Sequence, residues 1–280
     1  MKRTNFIWEE FIYGGHWFSL SVSAFVLTVI VLLELNIRWE LIAIVYLLLQ
    51  TVYNYNHYKE LDFDSLSKSD RTNHIKKYYS FLPILTILYG IGFVILTFYY
   101  GNIESLVMAG FLLLSGLLFT KVFKKLTEKI IGFKTFYASF TLSLLIIFIA
   151  LFYKYPITFL ILELVIFFFL RFMISSSFSD MKDMDVDKKY HLLSWPVCFG
   201  RKKFLTFLHI LNFVTTIPLF IIIFKIHPTF SFFVIFSFLY CFYYIKKAKK
   251  PGVDIHSLTN IIVDGEFLYW PFFLFIGLIL

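Results

Sequence analysis

Eight of the 18 acidic residues in this 280-residue chain fall in two short segments. Glu60, Asp62, Asp64 and Asp70 make the first; Asp180, Asp183, Asp185 and Asp187 make the second. Side chains three or four residues apart share a helix face. Asn56, Glu60 and Asp64 stand at i, i+4 and i+8, and Asp180, Asp183 and Asp187 at i, i+3 and i+7, so each segment can present a polar stripe. Asp62 and Asp185 fall off the stripes and read as solvated or outer groups. Two carboxylate stripes repel one another unless cations lie between them. Such hard oxygen donors suit Mg2+, which binds through one or two carboxylates plus substrate phosphates. Cations interleave with the acids: Lys68 and Arg71 in the first segment, Lys182, Lys188 and Lys189 in the second. Carboxylates for a metal beside cations for phosphate make a diphosphate site. A single acidic loop is explained well enough by solvation; two with helical spacing at equivalent places favour chemistry.

The elements that position these residues are apolar. The chain is 59% hydrophobic and 16% charged, with a mean hydropathy of +0.79, whereas soluble chains carry about 25% charged residues. Nine long apolar runs cover approximately 17–35, 40–55, 80–100, 103–120, 135–153, 157–178, 204–224, 228–245 and 262–280. A transmembrane helix needs about 20 such residues, so nine of them leave room for short loops and no second domain; residues 1–280 read as one unit. The acidic segments follow the second and sixth runs.

If the N-terminus and every second loop are cytoplasmic, 22 basic residues lie inside and three (Arg38, Lys154 and Lys225) outside, with Arg171 within a run. The positive-inside rule expects this asymmetry, which makes the net charge of +8 a topology signal rather than a nucleic-acid footprint. The C-terminus then lies opposite the N-terminus, and both acidic segments face the cytoplasm. The first sixteen residues lack the apolar core of a cleavable signal and read as an interfacial amphipathic helix. Cys198 and Cys241 are the only cysteines, too few for a disulfide framework.

At these residues the sequence resembles the UbiA superfamily of intramembrane prenyltransferases. The family's first motif, Asn-(Asp)-x-x-Asp-x-x-x-Asp followed by a Lys, an Arg and Pro residues, is met in register by Asn56, Asp64, Lys68 and Arg71. Glu60 stands for its middle Asp, His57 for the Asp beside the Asn, and Thr72 for a Pro. Its second motif, Asp-x-x-Asp-x-x-x-Asp, is met by Asp180, Asp183 and Asp187, trailed by Ser194-Trp195-Pro196-Val197 and Gly200. Phe119-Thr120 through Lys124-Lys125-Leu126-Thr127 to Gly132-Phe133-Lys134 is similar to the family's basic loop after helix four.

The resemblance implies an all-α membrane bundle of nine transmembrane helices around a central cavity capped on the cytoplasmic side. It implies transfer of a prenyl group from a prenyl diphosphate, bound through Mg2+, to a lipid-soluble aromatic or hydroxyl acceptor within membrane lipid. On that basis Asn56, Glu60 and Asp64, and Asp180, Asp183 and Asp187, are the expected metal ligands. Asn56, Lys68, Arg71, Lys124 and Lys182 are the expected diphosphate contacts, and Asp64, Asp183, Asp187 and Arg71 the residues expected to carry the reaction. A terpene cyclase that needs no acceptor and a non-enzymatic transporter or scaffold are the competing readings. Arg171 and Glu163 lie within one run, Glu163 towards its far end; Asp264 and Glu266 open the last run as possible acceptor contacts. His57 reads as a polar neighbour of the first motif.

Overall fold

The computed structural model describes residues 6–64, 70–226 and 228–279, and every regular element among them is helical. A short helix α1 (Phe6–Tyr13) meets α2 (His16–Leu32) at a 52° bend. They are followed by α3 (Trp39–Asp64), α4 (Asp70–Lys76), α5 (Leu82–Tyr100) and α6 (Ile103–Leu118). Next, α7 (Phe133–Ser143) and α8 (Leu145–Phe152) form one rod, and α9 (Phe159–Ser179), α10 (Met184–Lys189), α11 (Trp195–Ile226) and α12 (Ser231–Ala248) succeed it. The terminal segment runs from α13 (Ile255–Ser257) through a π-turn at Leu258–Val263 to α14 (Trp270–Ile279).

Each of the nine apolar runs lies on these helices. Among the described residues six helical segments are long and apolar enough to cross a membrane, or seven if the bent α1–α2 pair is one span. Helix α6 is shorter, at 16 residues, and α3 turns polar over its second half. The outward face of α5 carries Ile84, Ile87, Leu88, Ile91 and Phe98, each more than half exposed. A contiguous apolar face of this kind has lipid as its solvent, and the chain is a multi-pass membrane protein.

Inside, Phe25 of α2 packs edge-on against Phe168 and Phe172 of α9, at centroid separations of 4.6 and 5.1 Å. Trp270 and Phe267 of the terminal segment close the same cluster. Part of the large Phe content is therefore core.

Helix α3 continues unbroken through the polar stretch after the second run, as the spacing of Asn56, Glu60 and Asp64 requires. Its buried amides are satisfied: Asn54 Nδ2 donates to the Gln50 carbonyl at 2.8 Å, and Gln50 Nε2 donates to Ser19 Oγ at 3.1 Å. The second acidic segment behaves differently from its helical spacing. Helix α9 ends at Ser179, and its i→i−4 ladder gives way to i→i−3 bonds from Met181 to Phe178, Lys182 to Ser179 and Asp183 to Asp180. Helix α10 then starts after Asp183, so Asp180, Asp183 and Asp187 straddle a turn rather than share one straight face.

Two glycines permit the loops around this turn. Gly132 has φ 67° and sits so close to the Trp195 indole that a Cβ would meet Nε1 at 1.6 Å. Its N–H donates to the Leu193 carbonyl at 2.7 Å, while the Leu193 N–H donates to the Thr127 carbonyl at 2.9 Å. These bonds tie the basic loop to the segment trailing the second motif. Gly200, at φ 71° and ψ 152°, breaks α11 near its start with a backbone conformation that L side chains rarely adopt.

Helix α1 is fastened to α4. The buried His74 ring lies between two carboxylates, with Nδ1 3.0 Å from Glu9 Oε2 and Nε2 2.8 Å from Glu10 Oε2. Lys77 Nζ reaches Glu9 at 2.9 Å. The expected interfacial helix thus braces the element that carries Arg71.

Candidate active site

The first motif is completed from another part of the chain. Thr120 Oγ1 donates to Asn56 Oδ1 at 2.8 Å, and Lys124 Nζ lies 2.9 Å from Glu60 Oε1. Both partners belong to the turns Phe119–Phe123 and Lys124–Glu128, which follow α6. The basic loop is therefore joined to the carboxylate stripe of α3, and Lys124 meets the cluster it is expected to serve. Lys68 lies outside the described residues, as do the side chains of Asp62 and Asp64.

In the second motif, Lys134 Nζ lies 2.6 Å from Asp187 Oδ2 and 3.1 Å from Asp180 Oδ1. Thr135 Oγ1 donates to Asp180 Oδ2 at 2.5 Å. Asp180, expected as a metal ligand, thus has both oxygens engaged by protein. Burial pushes its carboxyl up to about 6, against the opposing pull of Lys134 and of the hydrogen bond from Thr135. Asp187 is fully buried, and among the described residues its Oδ1 has no hydrogen-bond donor. Asp183 is half-buried at the start of α10, and Asp185 is exposed.

Lys182 donates to Asn260 Oδ1 at 3.0 Å, on the terminal π-turn. Lys182 and Arg71 both interact electrostatically with Asp264. Thr120, Thr135 and Asn260 add to the expected set. Only Thr120 stood in a stretch marked by motif likeness; the other two carry no signal in sequence spacing.

Two cavities adjoin these groups. A polar one of about 210 Å³ is lined by Lys59, Glu60, Thr120, Lys124, Lys125 and Glu128, with Tyr190 and Leu192 on its far wall. The Leu192 N–H donates to the Asp187 carbonyl at 2.9 Å, so this wall links the first motif to the second. An apolar cavity of about 200 Å³ opens beside Asn56 and runs between α2, α3, α6 and the α7–α8 rod, past Leu49, Val52, Leu112, Phe119 and Tyr137.

Arg171 and Glu266 do not line either cavity. The guanidinium donates to Asn212 Oδ1 at 2.6 Å, to the Ser237 carbonyl at 3.0 Å and to Glu266, which also accepts from the Tyr244 hydroxyl. Both charges are 1% exposed. Glu266 is thus locked in a buried ion pair among α9, α11, α12 and the terminal segment. Glu163 lines a separate recess with Leu32, Leu33 and Glu34, near the opposite end of α9 from Asp180. His57 is buried edge-on against Tyr53, at a centroid separation of 4.3 Å.

The model of the UbiA prenyltransferase family matches residues 39–254, more than three-quarters of the chain. This chain belongs to the UbiA prenyltransferase family. The matched stretch contains both acidic motifs and the basic loop. No curated protein matches the sequence. Among solved structures, the UbiA chain superposes on an apo UbiA homologue from Aeropyrum pernix K1 with a TM-score of 0.71 at 13% identity, covering 94% of this chain and 97% of that one. A digeranylgeranylglyceryl phosphate synthase superposes with a TM-score of 0.57 at 18% identity, covering 99% of each chain. At these identities the shared property is the fold.

The UbiA site's donor chemistry suits a hard divalent cation. Among the described residues, no three acidic, His or Cys side chains close round a point as a preformed cage. A buried carboxylate oxygen without a partner remains at Asp187, and Asp183 lies at the same turn. A site with few protein ligands and room for substrate oxygens is how Mg2+ is usually held.

Proposed function

We propose that the protein transfers a prenyl group from a prenyl diphosphate to a lipid-soluble aromatic or hydroxyl acceptor, in an Mg2+-dependent reaction at the cytoplasmic membrane face. The observation that most supports this is the hydrogen bond from Thr120, on the lining of the cavity with Glu60 and Lys124, to Asn56, on the lining of the apolar cavity that runs into the bundle. In this reading the chain crosses the membrane nine times, with its N-terminus and basic loops cytoplasmic and its C-terminus opposite.

The diphosphate sits against the two motifs and the prenyl chain lies among the apolar side chains. Breaking the allylic C–O bond leaves negative charge on the departing pyrophosphate and positive charge on the allylic carbon. Asn56, Glu60 and Asp64 of the first motif, and Asp183 and Asp187 of the second, would hold Mg2+. Bound there, the cation supplies positive charge where the pyrophosphate oxygens develop their own. Lys68, Arg71, Lys124 and Lys182 hold the same oxygens; the planar fork of Arg71 matches two of them at once. The apolar cavity, with the aromatic rings of Phe119 and Tyr137 on its lining, keeps water from the allylic cation. An acceptor carbon or hydroxyl then forms the new bond and gives up its proton.

The test is to incubate purified protein with labelled prenyl diphosphates of graded length, Mg2+ and a cell lipid extract. An acceptor-linked product with released pyrophosphate, lost in EDTA, is expected. A free cyclic hydrocarbon would make the protein a cyclase, and no pyrophosphate release would overturn the enzymatic reading for these substrates.

A further inference from the structure

Lys134 stands at the first turn of α7, held by a hydrogen bond from its own N–H to Thr127 Oγ1 at 3.0 Å. Lys134 is 7% exposed, and its ammonium bridges Asp180 and Asp187, which are 8% and 0% exposed. Two carboxylates buried side by side repel strongly unless a cation neutralises them. The protein supplies that cation itself. Thr135, the next residue, occupies the remaining oxygen of Asp180. Asp187 keeps one buried oxygen that no protein group satisfies.

We propose that Lys134 is a resident counter-ion of the second acidic cluster. It fastens Asp180 to Asp187 before any divalent cation arrives and withdraws Asp180 from the ligand set, so a cation there binds only Asp187 Oδ1 and Asp183. Taken together, Asp180, Asp183, Asp187 and Lys134 carry a net charge of −2 when ionised, which one divalent cation neutralises. Lys134 and Asp180 are positioning residues: they aim Asp187 and fix the turn between α9 and α10. The part of this inference that concerns the cation rests on the diphosphate reading above; the counter-ion part does not.

Two measurements on the full chain in lipid nanodiscs test it. In the first, Mn2+ is titrated with inorganic pyrophosphate present, and free Mn2+ is read by electron paramagnetic resonance. Asp180→Asn is expected to bind Mn2+ within about twofold of wild type, whereas Asp183→Asn and Asp187→Asn bind at least tenfold more weakly. Weakening by Asp180→Asn as great as by Asp187→Asn would overturn the proposal. Failure of wild type to bind Mn2+ at all would overturn the cation assignment and the diphosphate reading with it. In the second measurement, thermal unfolding is followed in EDTA and in Mn2+. Wild type is expected to stay folded in EDTA and to gain from Mn2+ only the ordinary stabilisation of a bound ion. Lys134→Met is expected to unfold lower in EDTA and to recover in Mn2+, as a divalent ion takes the ammonium's place. A Lys134→Met protein as stable as wild type in EDTA would overturn the counter-ion role whatever the first measurement gives. If Lys134→Met does not fold, Lys134→Arg, which keeps the charge, must restore folding for the proposal to stand.

Discussion

Lys124 meets Glu60 at 2.9 Å on the lining of one cavity, and in the proposed reaction it faces the charge that develops on the departing pyrophosphate. Removing one group that stabilises developing negative charge costs roughly 10²–10³-fold in kcat. Lys124→Ala should therefore lose turnover by about that factor, while Lys129→Ala, on the exposed surface of the same loop, keeps it. Turnover assays on the two variants decide the matter, and full activity in Lys124→Ala would remove it from the site. Sequence spacing foresaw that Asn56 and Glu60 share one continuous helix, because helical periodicity is a local property. It could not separate Lys134 from Lys129: both are loop cations, and only the packing of α7 against the turn after α9 buries one and exposes the other. Thr135 and Asn260 were invisible for the same reason. Each works through a partner at least 45 residues away, and nothing in the chain's local pattern names that partner.

At the scale of elements, α3 follows its pattern and the second motif departs from it. Helix α3 stays continuous because its polar residues find partners along its own length and on α2. The turn at Asp180–Asp183 forms where a buried ammonium and a hydroxyl from α7 draw the carboxylates away from a straight stripe; periodicity contains no term for such a pull. The α1–α4 brace was equally hidden, since it pairs Glu9 and Glu10 with a histidine 64 residues or more along the chain. The brace should respond to acid. Burial alone would raise the Glu10 carboxyl, but hydrogen bonds from His16, His74 and Tyr78 outweigh it and hold the group below its ordinary 4.5. A carboxyl with a depressed native pKa adds stability that is fully present above its unfolded value and is lost as pH falls through the native one. Protection of the α1 amides, taken relative to their intrinsic exchange rate at each pH, should therefore stay high at pH 6 and fall below about pH 4. In Glu10→Gln that acid step should shrink; an undiminished step would assign the acid response to other groups.

For the molecule as a whole, composition made the membrane class legible and basic-residue asymmetry made an orientation readable, because both are sums over many positions and tolerate local error. The expected orientation has a native probe. Cys198 is exposed near the start of α11, between two basic stretches, while Cys241 is buried. A membrane-impermeant maleimide should label Cys198 in vesicles that expose the cytoplasmic face and leave it unlabelled in vesicles of the opposite sense; the reverse pattern would invert the topology. The buried pair of Arg171 and Glu266 has a consequence of another kind, in the timing of biogenesis. Arg171 enters the bilayer with α9, but Glu266 lies 95 residues later, roughly 5–19 s of synthesis at ~5–20 residues per second. A lone arginine at the centre of a spanning helix costs about 2.5–3.5 kcal/mol on insertion scales. The nascent half-bundle must therefore carry an unneutralised cation until the last segment arrives. Chains truncated before Glu266 should be held by the insertion machinery or degraded, which makes the terminal segment the quality-control step for the whole bundle.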